Sequence, residues 1–345
     1  MKSPRVTVLI DTYNYGQYIE EAVGSVLAQD FPVQEREILV VDDGSTDDTP
    51  ERLRKFGDAI TCLRKENGGQ ASAFNFALQR ARGKFVAFLD ADDYWLPGKL
   101  QRIVEEFEKH PDAGMVYHSF RQLNAREGVF QDGGLPLLSG FLPSNTKDLL
   151  SYVLYPTSFL AFRRSALELL LPIPEALTIQ ADAHLSGLIV FVAPIVAVPE
   201  FLAVYRVHGT NLFADQSESC RLRRDLRMRT RRALVDGMRN WLSERSYNLR
   251  RPDLHAYFKQ WDLSQEKEEF AVTPPSRLGI SRHLIEYARY YGPQLSWRHR
   301  TVTYMNAAGS LVVGYENVHR LDEWRMAIKN ALRSTSKHQE RETRS

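Results

Sequence analysis

"GKFVAFLDADDYW", Gly83 to Trp95, joins an apolar run to three carboxylates, Asp90, Asp92 and Asp93, within four positions. The run "KFVAFL" has no polar/apolar alternation and reads as a strand buried on both faces. Three acids at the end of such a strand repel one another, and burying them unpaired is costly. A divalent cation removes that cost. Mg2+ or Mn2+ takes carboxylate oxygens, commonly one or two from protein, and completes its shell with water and phosphate oxygens. Asp90 and Asp92, one residue apart, are the pair that could share such a site. Taken alone the stretch has a plainer reading, in which Asp90 and Asp93 cap and polarise the helix that follows Pro97.

The neighbouring segments weigh on that choice. Strand patterns at 5–11 ("RVTVLID"), 36–43 ("REILVVDD"), 59–65 ("AITCLRK"), 84–90 and 114–120 alternate with helical patterns at 18–29, 49–57, 69–83 and 98–110. This alternation predicts an α/β fold of βαβ units with a mostly parallel central sheet. In such sheets ligands gather beyond the carboxyl ends of the strands. "DTYN" (11–14), "DDGSTDD" (42–48), "ENGGQ" (66–70) and "DADD" (90–93) all fall there. Asp42 and Asp43 could accept from a base N–H or a ribose hydroxyl, and Tyr13 offers a flat face for a base. Gly68 and Gly69, at a helix start, could turn backbone N–H groups to an anion. The competing reading of D-D-G-S is turn chemistry alone.

Beyond residue 120 the pattern loosens. "RQLNAREGVFQDGG" (121–134) reads as a hairpin or a mobile loop, and "TSFLAFRR" (157–164) as a strand followed by a short helix. "TIQADAHLSGLIVFV" (178–192) reads as a helix that starts polar and enters the core, and "FLAVYRVHGTN" (201–211) as a further strand. Past Asp215 the pattern is helical, with seven arginines between Arg221 and Arg232. Residues 1–216 hold 20 Lys/Arg against 28 Asp/Glu, and the remainder 25 against 15. So abrupt a change of sign marks a change of module: a first domain over 1–216, a mainly helical region over 217–332, and a tail over 333–345 whose composition predicts disorder.

Two cysteines, Cys62 and Cys220, make no disulfide framework, and no signal-peptide pattern opens the sequence. The longest apolar run, "LIVFVAPIVAV" (188–198), is too short to span a bilayer and holds Pro194. The expectation is a cytoplasmic protein. The arginine run reads as a solvated helix face, as a site for anionic lipid at the inner face of the membrane, or as a surface for an acidic partner. A formal charge of only +2, without interleaved aromatics, argues against a nucleic-acid partner.

"VLIDTYNYGQYIEEAVGSVLAQDF", "ILVVDDGSTDDT", "ENGGQASAFNFAL" and "GKFVAFLDADDYW" together resemble the N-terminal half of the family 2 glycosyltransferases, and the resemblance runs from Val6 to Asn211. It implies a GT-A fold, Rossmann-like, here with a C-terminal helical extension. It implies metal-dependent, inverting transfer from a nucleoside-diphosphate sugar of UDP or dTDP type to a hydroxyl of a saccharide or lipid-linked acceptor, in cell-surface polysaccharide or glycoconjugate synthesis. Residue by residue, it implies that Asp11, Thr12, Tyr13, Asn14, Asp42, Asp43, Asn67, Gly68, Gln70, Asp90 and Ala91 border the nucleotide, with Asp43 on the base. Asp90 and Asp92 would hold Mn2+ or Mg2+, Asp92 more firmly. Asp182, in "IQADAHLSGL", would be the catalytic base, and His208, in "VYRVHGTN", would reach the metal or the diphosphate.

The chain departs from the family pattern at three places. Asp11 stands where a small residue or proline is usual, which bears on nucleotide choice. Ala181 stands where an acid is usual, and Phe74 where arginine is frequent. Two other readings stay open: a nucleotidyltransferase, which would want a glycine-rich basic loop in place of "DTYNYGQY", and a sugar-nucleotide-binding protein with a degraded site. For His118, His184, Arg163 and Arg164 the sequence decides no role.

Overall fold

The computed structural model of the chain describes residues 3–133, 136–209, 211, 221–270, 273, 275–291, 301 and 303–308. The expected tail, 333–345, and Cys220 lie outside the described residues. Apolar runs build the centre. Val8, Leu9 and Ile10 of β1 (Val6–Thr12), Leu39 to Val41 of β2 (Arg36–Asp42) and Val86 to Leu89 of β4 (Phe85–Asp90) are all buried. These strands pair in parallel with β1 in the middle, and the short β3 (Thr61–Arg64) continues the parallel set beyond β2. Helices α1 (Gly16–Leu27), α2 (Thr49–Arg54), α3 (Gln70–Leu78) and α4 (Lys99–Lys109) form the connections. Phe74 of α3 is fully buried, its ring 4.9 Å from that of Phe88 on β4, so the apolar departure at this position is a core contact.

The other half of the sheet holds β5 (Tyr94–Trp95), β6 (Met115–Asn124), β7 (Val129–Asp132), β8 (Leu160–Arg163) and β9 (Ile195–Val207). Among the described residues the strand order is β3-β2-β1-β4-β8-β6-β9-β5, with β7 paired to β6. The sheet is mostly parallel, as expected, but β8 runs against both its neighbours. That reversal sets the turn Thr157–Phe159, which precedes β8, on the rim where β1, β2 and β4 end.

Three segments take sharper form than the sequence pattern. Of the stretch 121–134, the described residues 121–132 form a hairpin: β6 continues to Asn124, turns through Gly128 at φ +66° and returns as β7. The last strand starts six residues before 201, at Ile195, and carries Pro199 inside it. The register jumps from His118 opposite Val198 to Ser119 opposite Phe201, a bulge that leaves out the residue with no N–H to donate. The helix expected over 178–192 is α7 (Ala181–Ile189), entered through Gln180 at φ +64°. Between these lie α5 (Thr146–Ser151) and α6 (Arg164–Leu167).

The chain divides into two compact units, Met1–Asp253 and Leu254–Ser345. Helix α8 (Arg221–Glu244) lies beyond the compositional boundary at 216 yet packs within the first unit. It buries Leu234, Val235, Met238 and Leu242, and its Trp241 indole donates to the Leu169 carbonyl at 3.3 Å. Its Arg229 and Arg232 are exposed. In the second unit, α10 (Arg277–Tyr290) is tied to α9 (Pro252–Phe270) by a Lys259–Glu286 ion pair at 2.6 Å and by the Tyr291 hydroxyl, which donates to the Gln260 carbonyl at 2.9 Å. No helix among the described residues is long and apolar enough to cross a membrane.

Candidate active site

Parallel pairing sets Asp11, near the end of β1, directly beside Asp90, the end of β4. Asp92 and Asp93 follow in the turn, and one carboxylate oxygen from each of Asp90, Asp92 and Asp93 lies within 4.8 Å of the others. Burial pushes the Asp11 carboxyl up to about 7, against a hydrogen bond shared with Asp90. Burial, and then neighbouring carboxylates, hold Asp90 and Asp93 well above the usual carboxylate range. Asp11 Oδ1 and Asp93 Oδ2 are buried with no hydrogen-bond partner. Crowded hard oxygens with unmet acceptor capacity are a donor set that fits Mn2+ or Mg2+.

The end of β9 wraps this turn. Asp92 Oδ2 lies 3.0 Å from His208 Nε2 and accepts from the Asn211 amide at 3.2 Å, while the His208 N–H donates to Asn211 Oδ1 at 2.7 Å. Arg206 donates its Nε to the Asp92 carbonyl and its backbone N–H to Asp93 Oδ1, both at 2.8 Å, and pairs with Glu21. The His208 ring packs on Tyr18 at 4.7 Å and on Tyr15 at 5.9 Å. Beneath the turn, Lys99 is fully buried. Its Nζ donates to the Ser158 carbonyl at 2.5 Å and sits 4.1 Å from the Trp95 ring centroid. Ser158 Oγ in turn accepts from the Asp90 N–H at 3.0 Å. Burial lowers the Lys99 pKa, opposed by the Asp93 charge.

On the β2 side, Asp42 Oδ1 accepts from the Ser45 N–H at 2.8 Å, and its other oxygen is 3.4 Å from Arg64. Asp43 accepts from Lys65 Nζ at 2.7 Å and from the N–H groups of Gly69, at 2.7 Å, and Gly68, at 3.1 Å. The anion at the two glycines is therefore the chain's own Asp43. Gly44, at φ +80°, has no room for a side chain: a Cβ there would fall 2.8 Å from the Asn67 nitrogen. Asn14, at φ +58°, stitches the first two loops: its side chain accepts from the Thr46 N–H at 2.7 Å and its N–H donates to Ser45 Oγ at 2.9 Å. Tyr13 and Asn67 stand exposed beside these loops, while Thr12 and Ala91 are buried under them.

Asp182 opens α7 from the far side of the rim. Burial raises its pKa, opposed by hydrogen bonds from Ala183 and Thr157. Gln70, at the start of α3, bridges to the acid cluster: its Oε1 accepts from the Ala181 N–H at 2.9 Å, and its Nε2 lies 3.3 Å from Thr157 Oγ1 and 3.4 Å from Asp90 Oδ1. Tyr205 has its phenol pKa raised by burial and then by Asp93, Asp92, Asp90 and Asp182.

Tyr15, Lys99, Thr157, Ser158, Tyr205 and Arg206 join the site without having been singled out in the sequence. Period-two spacing along β9 could have found Arg206 with His208. Thr157 and Ser158 carried no signal, because they depend on the reversed strand. The other undecided residues lie elsewhere. Arg163, at the opposite end of β8, donates to the Ala113, Phe107 and His110 carbonyls, and Arg164 to that of Ala81. His118 is buried with Nδ1 2.8 Å from the Ser119 carbonyl. His184 is buried in α7, and burial lowers its pKa to about 4.

A family model described as "Glycosyl transferase family 2" matches residues 7–170. An uncharacterized glycosyltransferase of Nostoc sp., alr2836, is 39% identical over 220 residues, covering 60% of this chain and 66% of that protein. RP339 of Rickettsia prowazekii, also named an uncharacterized glycosyltransferase, is 39% identical over 116 residues, 34% of this chain and 36% of its own. The chain thus spans just under two thirds of the first of these relatives and about a third of the second. Among solved structures, S. aureus TarS 1-349 in complex with UDP superposes with a TM-score of 0.60 at 20% identity, over 94% of this chain and 92% of that one. The mannosyltransferase PcManGT from Pyrobaculum calidifontis, in complex with GDP-Man and Mn2+, superposes with a TM-score of 0.51 at 22% identity, over 91% and 88%. These likenesses bear out the GT-A fold expected from the sequence. With its acid-rimmed sheet, residues 7–170 match the family 2 glycosyltransferase domain, just under half of the chain.

Proposed function

We propose that the chain transfers a glycosyl group, with inversion, from a nucleoside-diphosphate sugar of UDP or dTDP type to a hydroxyl of a saccharide or lipid-linked acceptor. The observation that carries this reading is the convergence of Asp90, Asp92 and Asp93 on one rim, linked through Gln70 and Thr157 to Asp182. The ligands of the two structural neighbours, UDP in TarS and GDP-Man with Mn2+ in PcManGT, support it.

In this reading Asp90 and Asp92, with His208 beside Asp92, hold Mn2+ or Mg2+. Such an ion, when bound, supplies Lewis-acid stabilisation to the departing diphosphate. The loops of Tyr13, Asn14, Asp42 and Asp43 flank the nucleoside. Asp182 takes the proton of the acceptor hydroxyl as that oxygen attacks the anomeric carbon from the face opposite the leaving group. One bond forms as one breaks, the nucleoside diphosphate leaves with the bonding pair, and the anomeric configuration inverts. A raised carboxyl pKa makes Asp182 a stronger base than a solvated aspartate. The setting is cell-surface polysaccharide or glycoconjugate synthesis on the cytoplasmic side, with the exposed Arg229 of α8 as a contact for an anionic membrane surface.

The test is calorimetry with Mn2+ and a panel of nucleotide sugars, alongside a transfer assay. Asp182→Asn is expected to bind donor normally and to lose transfer, and Asp92→Ala to lose metal-dependent donor binding. Pyrophosphate rather than nucleoside diphosphate as product, or donor binding indifferent to Asp92, overturns the reading.

A further inference from the structure

The basic residues close to the rim are mostly committed to acids of the chain: Arg64 to Asp42, Lys65 to Asp43 and Arg206 to Glu21. Arg126 is different. It sits in the turn of the β6–β7 hairpin, which the pairing of Asn124 with Val207 and the bond from the Ala125 N–H to the Val207 carbonyl, 2.8 Å, fasten to the end of β9. The next residues of β9 are His208 and Gly209. Gly209, at φ +79°, leaves its side-chain position to Arg126: an ideal Cβ there would fall 2.2 Å from one guanidinium nitrogen and 2.9 Å from Cζ. The guanidinium thus lies over the backbone next to His208, whose ring touches Asp92. It is exposed, and among the described residues no carboxylate pairs with it.

From this placement we infer that Arg126 is a phosphate-binding residue, whose guanidinium takes a phosphate oxyanion of a ligand seated at the Asp92–His208 edge. A guanidinium offers a planar fork of donors that matches phosphate oxygens two at a time, and one held on a short turn over glycine loses little freedom in doing so. The oxyanion comes either from the diphosphate of the donor or from a phosphate group on the acceptor. The inference rests on the glycosyl-transfer reading for the identity of the ligand, but its geometry does not depend on Asp182.

The test compares wild type with Arg126→Gln and Arg126→Lys, which alter an exposed side chain, by calorimetry with Mn2+ present. The donor arm uses UDP and GDP as probes, and the acceptor arm uses glycerol 3-phosphate and a short-chain polyprenyl phosphate. Loss of about tenfold or more in nucleoside-diphosphate affinity in Arg126→Gln, partly restored in Arg126→Lys, assigns the contact to the donor. The same loss confined to the phosphate-bearing acceptors assigns it to the acceptor. Unchanged affinity for all four probes overturns the inference, as does a wild type that binds none of them. If wild type binds the acceptor phosphates through Arg126 but neither nucleotide, the inference stands and the UDP-type donor reading falls.

Discussion

At the scale of the residue, the site depends on carboxyl groups held where solvent would normally stabilise their charge. Asp11, Asp90 and Asp93 have pKa values raised in the folded chain, so the fold retains protons that the unfolded chain gives up near pH 4. Stability from these groups is complete below the unfolded value and fades as pH climbs through the folded values, about 7 for Asp11. Metal-free protein is therefore expected to lose roughly 5 °C of Tm between pH 5 and 7.5 by scanning calorimetry. Addition of Mn2+ at pH 7.5 should recover most of it, and a flat metal-free profile would count against the acid cluster as described. For catalysis, burial raises the Asp182 pKa above that of an ordinary aspartate, so kcat is expected to rise with pH above the usual carboxylate range. Asp182→Asn is expected to cost about 10²–10⁴-fold in kcat and to abolish this limb of the profile.

At the scale of the element, what was legible in the sequence and what was not divide along local and non-local lines. The apolar runs of β1, β2 and β4 announce buried strands, and the acids at their ends follow from strand direction alone, so the rim could be read residue by residue. Thr157 and Ser158 could not, because their place depends on β8 running backwards between β4 and β6, pairings across about 75 and about 45 residues of chain. Lys99 was hidden for a related reason: its charge looks like an ordinary surface helix residue until the fold closes over it. The sequence suggests that the N–H groups of Gly68 and Gly69 could meet an anion, and the anion they meet is the chain's own Asp43. That makes the turn a brace for the loop after β2. Gly69 adopts φ +82°, and a Cβ there would fall 2.6 Å from Thr178 Cα. Gly69→Ala is expected to cost about 1–3 kcal/mol in denaturant unfolding and to weaken donor binding by displacing Asp43, with Gly24→Ala, which meets nothing within 4 Å, as the benign control.

At the scale of the whole molecule, charge and packing draw different boundaries. The sign of the charge changes near residue 216, while the first compact unit continues to Asp253 and includes α8. A fragment ending at residue 216 would expose the apolar surface that Leu234, Met238, Trp241 and Leu242 cover. It is expected to be insoluble or to melt well below a fragment ending at 253. Equal Tm values would show α8 to be dispensable. Trp241→Ala in the full chain should cost about 3 kcal/mol, read by chemical denaturation.

The side-chain amine of Lys99, sealed between the Trp95 ring and the Ser158 carbonyl, gives the molecule a built-in reporter. An amine with a lowered pKa is a ready nucleophile, so only lack of access shields it from acetic anhydride. The rate at which mass spectrometry finds Lys99 acylated therefore counts how often the floor of the acidic turn comes apart, and a ligand that braces that turn should slow the clock.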